Sequence, residues 1–92
     1  MSYGLQLKTK AEQDILEAAT WYEDQQPGLA AQFLDALEYK LAYIQQAPFH
    51  YQFRYRNVRT AVLERFPYSI HYTVEDTTLW VLAVLHHKQD YS

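Results

Sequence analysis

The stretch from Arg56 to Leu85 constrains the fold more than any other. Three runs rich in β-branched and aromatic residues follow one another there, over residues 57–66, 68–75 and 78–86. Pro67 interrupts the first junction, because it has no N–H to give a strand ladder. Glu75-Asp76-Thr77 interrupts the second, and the Asp76 side chain can bond its own backbone in a turn. Links this short join only antiparallel neighbours, so the stretch predicts a three-stranded antiparallel meander. In the middle run Ile70, Tyr72 and Val74 alternate with Ser69, His71 and Thr73, which predicts a core face and a polar outer face. The third run is apolar on both faces and predicts a central strand covered on both sides.

The residues upstream supply helices. Leu5 and Leu7 alternate with Gln6 and Lys8, a strand signature over residues 3–8. Thr9-Lys10-Ala11-Glu12 has the form of a capping box, with the Thr9 hydroxyl on the Glu12 amide. Ala11, Ile15, Ala18 and Tyr22 then recur at helical spacing, which predicts a first helix over residues 10–26. Pro27-Gly28 ends it, and Pro27 also suits the opening position of the next helix. Ala30, Phe33, Leu34, Leu37, Leu41 and Ile44 form one stripe of a second helix over residues 29–46, which stops before Pro48. At ~1.5 Å per residue that helix spans roughly 27 Å. A strand of about eight residues is nearly as long. A helical hairpin can therefore cover one face of the sheet, with Phe33 and Leu37 in the core. Residues 48–55 read as a linking loop, rich in rings at Phe49, Tyr51, Phe53 and Tyr55. The expected fold class is α+β: an N-terminal strand, a helical hairpin, then a three-stranded antiparallel meander.

At 92 residues the chain has the length of one domain, expected to span residues 1–92. No apolar run approaches the ~20 residues of a membrane span, so no membrane role is expected. Met1-Ser2-Tyr3-Gly4 lacks the charged and apolar regions of a signal peptide, which makes the cytoplasm the default expectation. The sequence has no cysteine, which excludes disulfides and thiolate metal sites. The net charge of −3 is unevenly laid out. Between Ala11 and Tyr39 every charged residue is acidic, whereas Arg54, Arg56, Arg59 and Arg65 cluster with Glu64 alone against them. Such a basic patch can meet phosphate or an acidic protein segment, or can neutralise the acidic half within the fold.

Catalytic patterns are sparse. His86 and His87 are adjacent at a strand end and so point to opposite faces, His50 and His71 lie elsewhere, and none stands at ligand spacing from another ligand type, so neither metal nor cofactor is expected. Ser69 and His71 share a strand face, but no orienting acid completes a triad. Glu23 and Asp24 read as solvated charge on a helix. The arginines interleaved with Tyr51, Tyr55 and Tyr68 have the ingredients for RNA, cations for phosphate and rings for stacking, while the acidic total opposes it. Arg59 and Arg65, an even number apart on one expected strand, would share a face roughly 20 Å apart, too far to clamp one phosphate.

Several blocks carry a family resemblance. They are Ala11-Glu12-Gln13-Asp14-Ile15, Trp21-Tyr22-Glu23, Pro27-Gly28-Leu29-Ala30, Phe33, Asn57-Val58-Arg59, Arg65-Phe66-Pro67-Tyr68, Tyr72 and Val81-Leu82-Ala83-Val84-Leu85-His86. In this order they resemble the RelE/ParE toxin superfamily of type II toxin–antitoxin systems. The resemblance covers nearly the whole chain, and Trp-Tyr-Glu and Arg-Phe-Pro-Tyr are its more specific parts. It implies the toxin of a toxin–antitoxin, or plasmid-stabilisation, system, neutralised by a cognate antitoxin in a hetero-oligomer. One branch of the superfamily cleaves messenger RNA in the ribosome. The ParE-like branch binds DNA gyrase and is not itself a nuclease. Where the cleaving branch carries functional arginines, this chain has Ser69 and Gln89, and where it carries a catalytic tyrosine, only Tyr91 is near. The Phe-Pro-Tyr block is typical of ParE-like members, although their closing His-x-x-Arg-Asp-Pro stands here as His86-His87-Lys88-Gln89-Asp90-Tyr91. The expectation is therefore a gyrase-binding toxin with no catalytic residues and no direct contact with nucleic acid. A ribosome-dependent endoribonuclease and a non-toxic member that only binds antitoxin are the alternatives. The residues expected to meet a partner are the rings Trp21, Tyr22, Phe49 and Phe53, the arginines Arg56, Arg59 and Arg65, and His86 and Lys88 beyond the last strand.

Overall fold

A computed structural model describes residues 3–88. Strand β1 (Gly4–Leu7) leads into helix α1 (Thr9–Gln25) and helix α2 (Leu29–Gln46). Four strands follow: β2 (Phe53–Tyr55), β3 (Val58–Val62), β4 (Tyr68–Glu75) and β5 (Thr78–His86). The sheet order is β1-β5-β4-β3-β2. β1 runs parallel to β5, and the other pairings are antiparallel. Strand, helical hairpin and meander thus come in the order expected from the sequence. The sheet has one strand more than the meander and β1 supply, because part of the expected 48–55 loop is β2. Arg56 makes this possible by taking a left-handed φ of 47°, which closes a tight hairpin from β2 into β3. The first meander strand is also shorter than expected. It stops at Val62, and Phe66 turns into the core instead.

The helix junctions depart from the expected chemistry. Lys8, in an extended conformation, is the N-cap of α1 and makes no side-chain cap bond. Thr9 is already helical, so the Thr9–Glu12 capping box does not form, and the Glu12 N–H donates to the Lys8 carbonyl instead (3.1 Å). Gly28, not Pro27, adjoins α2, as its N-cap at φ 91°, a conformation in which a Cβ is strained. Glu23 is not simply solvated. Both its carboxylate oxygens accept the Gly28 N–H at 3.1 Å, and Oε1 also accepts that of Ala30 at 3.2 Å. The last turn of α1 therefore caps the first turn of α2 with a negative charge, where the helix dipole favours one.

The core lies between the hairpin and one face of the sheet. Phe33, Leu37, Leu41 and Ile44 of α2 and Ala11, Ala18 and Tyr22 of α1 are buried, as the stripes predict, while Leu34 is exposed. Ile70 and Tyr72 of β4 and Leu79, Val81 and Val84 of β5 meet them. The Tyr72 hydroxyl, fully buried, donates to the Pro48 carbonyl at 2.7 Å and ties the end of α2 to the central strand. A cluster of rings binds the hairpin to the sheet: Tyr22, Phe33 and Phe66 lie 5.0–5.4 Å apart, and Tyr68 is 5.3 Å from Phe33, edge-to-face except for the tilted Tyr22–Phe33 pair. Beyond the ring cluster, β4 and β5 keep a bulge opposite His71 and Tyr72.

The other face of β4 differs from expectation. Ser69, His71 and Thr73 alternate away from the helices as predicted, yet all three are buried. They stand on the central strand of a five-stranded sheet, and the Tyr55 ring of β2 comes within 6.3 Å of the His71 imidazole. Among the described residues no helix is long and apolar enough to cross a membrane.

Candidate protein-docking cleft

A cleft of about 530 Å³ opens where α1 passes the far ends of β4 and β5. Its formation starts at the edge of β5. β1 pairs with β5 only as far as Val81, so the later residues of that strand edge need other partners. Asp14 supplies one: its Oδ2 accepts the Val84 N–H at 3.1 Å, while its Oδ1 accepts from Lys10 Nζ at 2.7 Å. This single carboxylate holds α1 against the strand where β1 has run out. The consequence is a gap one helical turn further on, between α1 and the start of β4.

Rings form one wall of the gap. Trp21 stands edge-to-face on Tyr22 at 5.1 Å, Tyr22 is 6.1 Å from Tyr68, and Tyr68 is 5.2 Å from His86. Trp21 is 56% exposed, whereas Tyr22, which the sequence places both in the apolar stripe and at a partner surface, is 8% exposed and packs into the core. The carboxylates of Asp14 and Glu17 line the same space. Burial pushes the Tyr68 hydroxyl above its usual range, and the charges of Asp14 and Glu17 push it further. Burial likewise raises Tyr22, with Tyr68 adding to it. The cleft is thus aromatic and carries negative potential.

The other residues expected at a partner surface divide between separate places. Phe49 and Phe53 flank Arg59, whose guanidinium lies 5.2 and 4.0 Å from their ring centres. Arg59 Nη1 also donates to the Tyr51 carbonyl at 2.6 Å, so this arginine pins the 47–52 connection to β3. Arg56 sits in the exposed β2–β3 turn. Arg65 is not on β3 at all. It lies in the 63–67 loop, over the Phe66 ring, and bonds Gln32 of α2 at 2.8 Å. The sequence-adjacent arginines therefore do not make one patch, and the expectation that Arg59 and Arg65 share a strand face fails because β3 ends first. Lys88 donates its backbone N–H to His86 Nδ1 at 3.0 Å. Gln89, Asp90 and Tyr91 lie outside the described residues. The fold brings the expected residues together in two groups, Phe49, Phe53 and Arg59 in one place and Trp21, Tyr22 and His86 at the cleft. Asp14, Glu17 and Tyr68 join the cleft group; Tyr68 was read as a ring suited to stacking and as part of a resemblance block, and none of the three was named as a partner-surface residue. Asp14 gave no usable signal, since its role depends on where β1 ends in space.

The sheet's outer face offers little machinery. His71 is held neutral, its imidazole lowered to about 4 by burial first and by the Arg54 charge second. Among the described residues no three His, Asp or Glu side chains converge as a metal site would require.

A strand, a helical hairpin and a mixed five-stranded sheet also build chains of known toxin–antitoxin complexes. A chain of the chromosomal ParDE system from P. aeruginosa superposes with a TM-score of 0.81 at 22% identity, over 92% of this chain and 96% of that one. Chains of the RelBE2 complex from Mycobacterium tuberculosis (TM-score 0.61, 21% identity, 94% and 99% covered) and of the E. coli DinJ–YafQ complex (0.65, 14%, 95% and 94%) share the fold. No curated protein matches the sequence significantly. The family model for the ParE toxin of the type II toxin–antitoxin system, parDE, matches residues 5–91, and the chain belongs to that family.

Proposed function

We propose that this ParE-family toxin acts by gripping a protein, with DNA gyrase as the target, and is held inactive by a cognate antitoxin. One observation carries the choice of protein contact over RNA cleavage: the cations that scission needs are not assembled on the sheet. Attack by a ribose 2′-hydroxyl needs a base, an acid and fixed positive charge on the phosphate. At the position where the resemblance expects an arginine, Ser69 is neutral and buried. Arg59 pairs in register with Tyr72, on the opposite face from Ser69, and is already bound by Tyr51. Arg65 is turned to α2. Arg54, on the exposed β2, is the cation whose field reaches His71. Losing one preorganised donor typically slows such chemistry by about 10²–10³.

Expression without antitoxin tests the reading. Growth should stop with stalled replication and cleaved gyrase–DNA complexes, while ribosome-bound messages stay intact. Mapping the 5′ ends of cellular messages after induction decides it. New codon-positioned cuts that vanish in an Arg54→Ala variant would replace this reading with the ribonuclease. Unimpaired growth would leave a member that binds antitoxin and harms nothing.

A further inference from the structure

The cleft between α1 and the ends of β4 and β5 has the chemistry of a cation site. Aromatic faces attract a cation through their negative quadrupole, and the attraction grows as the site sheds water. Trp21, Tyr22 and Tyr68 supply those rings, in mutual contact along one wall. Asp14 and Glu17 add carboxylates to the same space. Asp14 is partly neutralised by Lys10, a side chain 59% exposed that reaches it from solvent. Glu17 is in neither ion pair seen among the described residues. The acidic run of α1 contains no cation after Lys10 to answer it; of the exposed arginines, Arg54 and Arg56 lie around β2 and Arg65 is engaged by Gln32 of α2. A cation brought by another molecule complements the cleft. Trp21 is more than half exposed and open to contact.

We infer that the cleft receives an arginine or lysine side chain of the antitoxin, seated on the rings of Trp21, Tyr22 and Tyr68 and paired with Glu17. This deepens the proposal of an antitoxin partner and rests on it for the source of the side chain. The chemistry of the site does not depend on that source. The cationic head displaces water from an aromatic wall, and its aliphatic stem lies along the exposed Trp21 ring. A neutral side chain of the same length gains the stem contact alone.

The two indoles make the test direct, because Trp80 stands on β5 away from the cleft, under Lys8 at 4.4 Å. The full chain is labelled with ¹⁵N and titrated with N-acetyl-arginine amide, then with N-acetyl-norleucine amide. The arginine probe should move the Trp21 indole signal saturably and leave that of Trp80 in place. The norleucine probe should bind about tenfold more weakly, as should the arginine probe with Glu17→Gln, about the factor expected for one partly desolvated cation contact. Equal shifts of both indoles, equal binding of the two probes, or no effect of Glu17→Gln would each overturn the cation site. A second arm separates the source. Antitoxin that binds Glu17→Lys protein as tightly as the parent, while the arginine probe still titrates Trp21 in the parent, would remove the antitoxin from the cleft. The cation site itself would stand.

Discussion

His71 sits in the interior of the sheet and reaches no water. Burial holds its imidazole near 4, with Arg54 opposing protonation and Asp14 weakly favouring it. An unfolded chain binds that proton near pH ~6.5. Between these values the unfolded state takes up a proton that the folded state refuses, so stability falls as pH drops from about 6.5 towards 4. Above that window the group contributes no slope. His71→Gln removes the titration. Urea unfolding at pH 7.5 and 4.5 should show the variant gaining about 2 kcal/mol on the parent at the lower pH. A constant difference between the two proteins would mean that the imidazole is not buried in solution. Arg59 teaches a different lesson at the same scale. From the sequence it is one of four clustered charges, while in the fold it is a rivet between two rings and a carbonyl.

The start of α2 depends on one side chain from another element. Glu23 closes the first turn through Gly28 and Ala30, so Glu23→Ala leaves those N–H groups to water and a dipole without its counter-charge. The expected loss is about 1 kcal/mol, or roughly 4–8 °C in melting temperature. Glu23→Gln keeps an acceptor and should recover about half of it. A thermal melt of the three proteins checks the order, and identical midpoints would show that the cap is not kept in solution. β4 was legible in the sequence through its alternation and β5 through its run of β-branched and apolar residues, each bounded by turn residues. β2 was not: Phe53-Arg54-Tyr55 alternates, but the strand is three residues long with none of them buried, and its turn opens on Arg56 where glycine or asparagine would announce one. The capping box failed for a similar reason: Thr9 has the right chemistry, but the helix starts one residue earlier than a Thr9 cap would need, directly after Lys8, whose N–H still pairs with Val81 of β5. The polar face of β4 was legible as a face but not as buried, because alternation says which side a residue takes and not how deeply its neighbours cover it.

Charge is polarised over the whole molecule, acidic along α1 and basic around β2 and its turn. The basic end should govern how fast an acidic antitoxin segment is captured rather than how long it stays. Arg54→Glu with Arg56→Glu, which spares the bound Arg59, should slow association several-fold at low salt and much less at high salt. Stopped-flow mixing at both salts measures this, and equal rates for mutant and parent would remove these arginines from the encounter. The one parallel pairing in the sheet bears on the protein's birth. β1 finds its register only against β5, from Gly4 on Thr78 to Leu7 on Val81, so the first strand made must wait for the last. Contacts this distant in sequence form late. The rings of α1 are made well before β5, the strand that completes their cleft. A chain without β5 has no cleft to offer, and any molecule that recognises this one must meet it once β5 is in place.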